Sequence, residues 1–320
     1  MLFAITLCHY KYPGCAPRLL ITGTRRQTYN NYFCISLQVI QNKNETVKQV
    51  YHIISGKSGE SSEQVLSIRI GERHFGFAIT TANAGELYKL TWYTDTEMDE
   101  AALSDIYWKH PELRVSYQRI FICYDYPQSV MMPLTQYKED DTKLMLQTMF
   151  GISGKDAVVT EPVAGWQMNN VYAVPKEVYD WVYQQFPASN YWHTYTIGIK
   201  NVVLTDFEGS LAADFRTDDF SLLITRGSKL LLTQTFSYST PADFVYYLLD
   251  SCRQFSFSQE TVRIYLSGLI EKESALYKEL HQYFLHINFR DSEWKIPAEE
   301  QQRYPAHFFT SLNDLARCVL

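Results

Sequence analysis

The sequence predicts an α/β protein built from two copies of one sheet-and-helix unit. β-rich runs separated by Gly and Asn turns occur in two groups of three. In each group a helix, a buried-type strand and a further helix, strand and helix follow the three runs. A three-strand meander extended by right-handed crossovers gives a mixed five-stranded sheet covered by helices. The shared order of elements therefore predicts two lobes, each with such a sheet.

The first group of elements begins near residue 65. Its meander consists of three predicted strands, at residues 65–70, 74–80 and 87–93. A helix is expected from about Thr96, because Asp99 three residues later forms a variant of the capping box, and it ends before Pro111. Strand and helix then alternate over four predicted elements, at residues 119–124, 142–150, 171–174 and 176–186.

The second group repeats this order. Its meander is predicted at residues 211–215, 220–225 and 229–236. The next helix opens at Thr240, with Pro241 at its first position and Asp243 at its third, both favoured there. Four further elements follow, a strand at 262–266, a helix at 274–285, a strand at 286–289 and a final helix at 305–319.

The first hairpins of the two groups align without gaps, with residues 68–79 over residues 213–224. This alignment places Arg69 opposite Asp214, and Gly71 opposite Arg216. The identity is low, so the order of elements is the evidence for duplication. Two such units placed face to face are the ribonuclease-H-like duplication of actin-like ATPases.

These patterns divide the chain into residues 61–200 for the first lobe and 201–320 for the second. Residues 1–60 have no clear helical period and end in a polar run typical of a linker. Within them, residues 47–54 suit either a strand or a short helix. One hypothesis is that the start codon is assigned too early, although no methionine lies between Met1 and Met98 to replace it.

Composition excludes several classes of function. The net charge is -6, which gives no electrostatic basis for binding nucleic acid. No apolar run approaches the ~18 residues that cross a bilayer, so direct membrane insertion is not expected. Six scattered cysteines without a Cys-x-x-Cys pair indicate neither a disulfide framework nor a metal site. A cytoplasmic protein is expected.

Several segments resemble the bacterial family named domain of unknown function 3822. They are residues 170–176, 229–236, 243–249, 262–280 and 304–309. The resemblance extends from about residue 64 to the end and implies an actin-like ATPase fold without an assigned activity. The duplicated layout is more distantly similar to the actin-like cytoplasmic parts of type IV pilus and type II secretion proteins.

An actin-like ATPase needs a carboxylate at the end of the first strand of each lobe and a tight glycine hairpin that wraps phosphate. It also needs a glycine-rich turn for adenosine. The candidate cleft residues are Gly71, Asp214, Asp218 and Gly268. However, Arg69 and Arg216 stand where an acid and a small residue are required. Gly268 also lies in a turn with one glycine, where nucleotide-binding members show two or three.

Two hypotheses of different classes follow. The first is a non-catalytic binding or scaffold protein with a degenerate cleft, an unknown protein partner, no catalytic residues and no cofactor. The alternative is a nucleotide-binding ATPase with unusual phosphate loops, using ATP and magnesium. Asp214, Asp218 and Asp219 suit either residual cation contact or an ordinary solvated turn. Segments 51–58 and 151–156 imitate a phosphate-binding loop, but Tyr51 and Asp156 break the pattern.

Overall fold

The structure is a computed structural model that describes residues 48–54, 61–163, 165–202 and 209–318. Ser61–Glu63, the end of the linker predicted at 57–63, form a 3-10 turn. Residues 57–60 of that linker, the question of the start codon and residues 55–58 of the segment that imitates a phosphate-binding loop lie outside the described residues. So do Cys8, Cys15 and Cys34. Among the described residues, no helix is long and apolar enough to cross a membrane.

The described residues form fourteen strands and eight α-helices. The strands are β1 (Lys48–Ile54), β2 (Gln64–Gly71), β3 (His74–Thr81), β4 (Leu87–Thr94), β5 (Arg119–Asp125), β6 (Ser129–Pro133), β7 (Asp156–Val163), β8 (Met168–Pro175), β9 (Asn190–His193), β10 (Ser210–Phe215), β11 (Asp219–Arg226), β12 (Lys229–Ser237), β13 (Arg263–Gly268) and β14 (His286–Phe289). The helices are α1 (Glu100–Lys109), α2 (Glu139–Phe150), α3 (Lys176–Gln185), α4 (Thr194–Lys200), α5 (Pro241–Gln254), α6 (Ala275–Leu280), α7 (Ala298–Gln301) and α8 (Thr310–Arg317).

The first sheet has the order β1-β4-β3-β2-β5-β9. The sequence predicted five strands here, and the structure corrects this to six. The added strand, β1, comes from residues assigned to the N-terminal extension and pairs antiparallel with β4. Alternating burial explains the strand, because Tyr51 and Ile53 are buried while His52 and Ile54 are exposed.

A separate three-stranded sheet, in the order β6-β8-β7, interrupts the first lobe after β5. The sequence predicted only residues 171–174 of it, as the strand that follows β5 in the main sheet. That assignment was wrong, since residues 171–174 lie in β8, and β9 is the strand that pairs with β5. β9 has only four residues, too few for a clear periodic pattern.

The second sheet has the five predicted strands, in the order β12-β11-β10-β13-β14. β10 pairs parallel with β13 in the centre of the sheet. Phe244 of α5 packs edge to face against both Phe215 and Phe220 beneath the sheet, and these two rings stack on each other. α5 begins after Thr240, as predicted, and the structure shows a capping box there, in which Thr240 and Asp243 each accept the backbone N–H of the other.

Each lobe is covered in part by a helix that belongs, in chain order, to the other lobe. α4 precedes the second sheet, yet Tyr195 and Ile199 pack against Leu223 of β11. α8 follows the second sheet, yet its apolar residues join the core of the first, among them Leu312 and Leu315. The predicted final helix 305–319 therefore forms a 3-10 turn at Ala306–Phe309 and then crosses as α8. These two helices tie the lobes together.

A candidate site in the cleft between the lobes

β2 and β10 occupy equivalent central positions in the two sheets. β2 pairs parallel with β5, which puts Arg69 beside Cys123. β10 pairs parallel with β13, which puts Asp214 beside Ser267. The matching registers support the predicted alignment of Arg69 with Asp214. The two residues thus come from the same place in the repeated unit.

These two equivalent residues contact each other across the cleft. Arg69 Nη2 donates to Asp214 Oδ2 at 2.8 Å. The same nitrogen lies 2.6 Å from Asp125 Oδ2, and Arg69 Nε lies 2.9 Å from that oxygen. The side chains of Arg69 and Asp125 are each only 2% exposed. One guanidinium therefore bridges a carboxylate of its own lobe and a carboxylate of the other.

A second buried arginine closes the cluster from the second lobe. Arg216 directly follows β10, and its Nη1 lies 3.1 Å from Asp125 Oδ2. Its Nε donates to Asp219 at the start of β11. Asp125 is therefore held between guanidinium groups from both lobes. We call Arg69, Asp125, Asp214, Arg216 and Asp219 the ion cluster.

The electrostatics keep Asp125 and the two buried arginines charged. Burial by itself would raise the pKa of Asp125, but Arg216 and Arg69 outweigh it and hold that pKa well below the usual range. Burial likewise opposes the charge of both arginines, but the carboxylates around each, Asp125 foremost, together outweigh it, so the pKa of each is raised. Removing one partner would leave a buried charge without compensation.

His74 borders the cluster without adding a charge to it. Its Nε2 lies 3.0 Å from Asp125 Oδ2, in an orientation that makes no hydrogen bond. Burial lowers the pKa of His74 in spite of Asp125, so the ring is neutral near pH 7. The ring stacks on Trp92 with centroids 5.2 Å apart.

Gly71, one of the predicted site residues, serves this packing. A Cβ at Gly71 would fall 2.1 Å from the His74 ring. Packing of the His74 imidazole therefore requires glycine at position 71, with or without a ligand at the hairpin. The backbone of Gly71 pairs with Asp125 in the β2–β5 register, next to the ion cluster.

Gly268, the predicted adenosine-turn residue, also has a structural reason. Its φ is +79°, and a Cβ there would lie 2.2 Å from the carbonyl oxygen of Phe215. Leu269 N–H donates to that same oxygen at 2.9 Å. Glycine is thus required where the end of β13 approaches β10.

Asp218 lies at the rim, apart from the ion cluster. It pairs with Arg73 of the opposite hairpin at 3.2 Å, with side chains 51% and 57% exposed. Beside this pair, the hydroxyls of Thr94 and Thr217 lie 2.8 Å apart across the same gap. The structure therefore brings Gly71, Asp214 and Asp218 to one cleft, while Gly268 supports the strand behind it.

Sequence reasoning missed Asp125, the centre of the cluster. Asp125 ends β5, directly after the predicted strand 119–124. In an α/β sheet the carboxyl ends of neighbouring parallel strands meet at one edge, so this position was a possible signal. Arg69 and Arg216 were noted only as departures from an ATPase, and their pairing was not foreseen.

A polar cavity of about 260 Å³ lies between the two hairpins. Asp125 and Arg216 contribute to its lining, and Tyr238 borders it from the second lobe. Acidic side chains outnumber basic ones in the lining, with Glu72, Asp95, Asp125, Asp218 and Asp219 against Arg73 and Arg216. A polyphosphate would meet a net negative wall there.

The residues present do not fit a magnesium nucleotide. The Arg69 guanidinium already occupies the place between Asp125 and Asp214 where a divalent cation would need both carboxylates. Within the described ranges, no group of three or more His, Cys, Asp or Glu side chains is placed to hold a metal.

Apolar contacts around α4 also join the two lobes. Met131 and Val163 from the inserted sheet join Tyr195 of α4 and Leu223 of the second lobe in one buried cluster. Tyr195 also hydrogen-bonds Thr235 of β12 at 2.8 Å through its hydroxyl. The lobes are thus joined by apolar packing as well as by ion pairs.

A family model described as protein of unknown function (DUF3822) matches residues 56–287. The chain belongs to the DUF3822 family. That membership agrees with the resemblance seen in the sequence and assigns no activity. No curated protein matches the sequence.

Solved structures share the fold. A Bacteroides thetaiotaomicron protein, described as having an actin-like ATPase fold and unknown function, matches with a TM-score of 0.69 and 20% identity, over 81% of this chain and 97% of that one. The PilM-PilN type IV pilus biogenesis complex contains a chain that matches with a TM-score of 0.54 and 13% identity, over 82% and 100%. The ethanolamine utilization protein EutJ from Carboxydothermus hydrogenoformans matches with a TM-score of 0.47 and 8% identity, over 83% and 92%. The likeness to the Bacteroides thetaiotaomicron protein shows that this DUF3822 protein has the actin-like ATPase fold.

Proposed function

We propose that this DUF3822 protein is a non-catalytic binding or scaffold protein whose interlobe cleft is closed by its own side chains. The observation that carries the proposal is the Arg69–Asp214 ion pair at 2.8 Å. It joins the two equivalent strand ends at which an actin-like ATPase needs carboxylates. A fixed positive charge of the protein thus stands in place of an exchangeable cation.

The charges around that pair support the same reading. Asp125 is shared by two buried arginines, so neither guanidinium is free to receive a phosphate. The remaining cavity wall is mainly acidic and would repel a nucleotide that arrived without a metal. Binding of a protein partner then falls to surfaces outside the cleft, and the PilM-PilN complex is a precedent for an actin-like fold in a protein assembly.

The test is a thermal-shift titration of the full chain with ATP and magnesium. A ligand that binds only the folded state raises its stability by RT ln(1 + [L]/Kd), about 2.7 kcal/mol at a hundredfold excess over Kd. We expect no shift at millimolar nucleotide, beyond that of the same salt without nucleotide. A saturable shift that disappears in Asp214→Ala but persists in Asp250→Ala, which removes an Asp–Arg pair on α5, would overturn the proposal.

A further inference from the structure

An open strand edge runs along one side of the second sheet. In the described part of the chain, β12 is the outermost strand of this sheet, pairs with β11 alone and, with nine residues, is the longest edge strand. Its one irregularity, at Leu231, lies near its start, so residues 232–237 keep a regular register with β11. An edge strand presents a row of backbone groups that can pair with a further strand.

The hydrogen-bond pattern shows which backbone groups of β12 point outward. Tyr238 N–H donates to the carbonyl oxygen of Asp218 at 3.0 Å, which extends the β11–β12 ladder in the same register. Bonded positions alternate along an antiparallel ladder, so the backbone groups of Thr233, Thr235 and Ser237 face away from β11. Among the described residues, none makes a backbone hydrogen bond with these three outward-facing positions.

The other edge strands that the structure describes carry features that hinder pairing. β9 and β14 have only four residues each, β6 and β7 contain Pro133 and Pro162, and β1 has a bulge at Val50. Short length, proline and bulges are the means by which sheets protect their edges. β12 contains no proline, and its one charged residue is Lys229 at its first position. Residues 232–237 therefore lack the protection that the other edges have.

The two ends of this edge carry opposite charges on one face of the sheet. Leu230 packs on the side of α4, so the exposed Lys229 next to it points to the opposite face, which carries α5. Asp243 lies one turn before Tyr247 of α5, whose ring stacks on Phe236 of β12 with centroids 4.4 Å apart. Neither Lys229 nor Asp243 forms an ion pair with another described residue.

This charge arrangement suits a second copy of the same edge. An antiparallel pair related by a two-fold axis uses one surface twice and places the start of each strand beside the end of the other. Lys229 of each copy then lies near the first turn of the other copy's α5, where Asp243 is, so opposite charges meet at both ends. The paired strands oppose no like charges, because Lys229 is the one charged residue of β12.

We propose that β12 pairs antiparallel with β12 of a second copy of this chain, about a two-fold axis beside Thr235, so that the two second-lobe sheets join into one continuous sheet. In this register Thr235 bonds to its own equivalent, and Thr233 bonds to Ser237 of the other copy. The outward-facing backbone groups of all three residues are then paired. The paired segment is short, so the dimer forms in a concentration-dependent equilibrium.

Sedimentation velocity of the full chain over a wide range of protein concentration tests the pairing, and amide hydrogen exchange locates it. We expect a mass that rises to twice that of one chain, with slower exchange of the Thr233, Thr235 and Ser237 amides at the concentrations where the dimer forms. A monomer at every concentration, which would leave the edge to a strand of another protein, rejects the proposal. A dimer in which these three amides exchange as fast as in the monomer also rejects it.

Variants separate the backbone pairing from the charges. Thr233→Pro removes an N–H that faces away from β11, so the β11–β12 ladder loses no hydrogen bond, and only monomer is expected. Thr233→Val keeps that N–H and is expected to dimerise as the natural protein does.

Lys229→Glu places like charges at both ends and is expected to weaken the dimer about tenfold. Lys278→Glu makes the same change of charge on the exposed side of α6 and is expected to leave the dimer unchanged. Lys229→Glu alters no backbone group, which keeps the test valid if Thr233→Pro does not fold. Dimerisation that neither Thr233→Pro nor Lys229→Glu affects contradicts the proposal.

Discussion

At the residue scale, Arg69 determines the character of the cleft. It is fully buried, contacts carboxylates of both lobes and lies 5.9 Å from the centroid of the Trp92 ring. A buried ion pair contributes little relative to a well-packed apolar substitute, but loss of one partner is costly. The effect of changing Arg69 therefore measures how completely Asp125 and Asp214 depend on it.

We expect Arg69→Met to lower the free energy of unfolding by roughly 3–5 kcal/mol, because Asp125 loses its closest partner in a buried site. Urea unfolding followed by circular dichroism measures this. Arg73→Met is the matched control, since it removes an exposed cross-lobe pair with Asp218 and is expected to change stability by less than about 0.5 kcal/mol. Equal losses in the two variants would contradict the account.

Glu161 gives the molecule a pH dependence near neutrality. It lies on β7 and accepts the backbone N–H of His193, the residue before α4, at 2.9 Å. Burial raises its pKa from 4.5 to about 7. Because the folded pKa is the higher one, the stabilising contribution of the protonated carboxyl is complete below about pH 4.5 and is lost as the pH rises to about 7.

Glu161→Gln keeps a neutral acceptor at that position. We expect the variant to match the natural protein in stability near pH 4.5 and to exceed it at pH 8, by up to about 3 kcal/mol. Urea unfolding at both pH values measures the difference. A stability difference that is the same at pH 4.5 and pH 8 would show that Glu161 does not titrate in this range.

The sequence predicted where some of the site residues lie, but not how they interact. The gapless hairpin alignment pairs Arg69 with Asp214, and their contact across the cleft is compatible with it. The alignment does not predict the role of Asp125. The position of Asp125 depends on which strand pairs with β2, and a local sequence pattern does not encode that long-range pairing. The glycine at 268 suggested a ligand, whereas the backbone of Phe215 explains it.

At the element scale, the meanders and the α5 helix follow directly from local signals. Hairpin turns and the Thr240–Asp243 capping box act within a few residues. The inserted sheet and β9 could not be predicted from such local signals, because β9 is four residues long and takes its place through pairing with β5. The helix expected from Thr96 begins at Glu100, with Asp99 as the cap that accepts from Ala102 N–H at 2.8 Å.

The junction of β13 with β10 tests whether Gly268 serves packing. Gly268→Ala puts a Cβ against the Phe215 backbone and also strains a φ of +79°. Gly227→Ala strains a φ of +54° in a turn with open space around it. We expect Gly227→Ala to cost about 1–2 kcal/mol and Gly268→Ala clearly more, measured by thermal unfolding. Similar losses of stability in the two variants would mean that the Cβ at position 268 is accommodated against Phe215 at no added cost.

At the scale of the whole molecule, three features hold the lobes together. The ion cluster joins the strand ends, the apolar cluster around Tyr195 joins the inserted sheet and α4 to the second lobe, and α8 packs on the sheet of the first lobe. Lobe opening would have to break all three. The fold is that of actin-like ATPases, and the contacts across the cleft hold the two lobes in a closed arrangement.

The most direct measurement is a double-mutant cycle across the cleft. The free energies of unfolding of the natural protein, Arg69→Met, Asp214→Asn and the double variant are compared, with and without millimolar ATP and magnesium. The account predicts a coupling energy of about 1.5 kcal/mol or more that nucleotide leaves unchanged. A coupling near zero, or one that nucleotide removes, would contradict a cleft closed by its own ion pair.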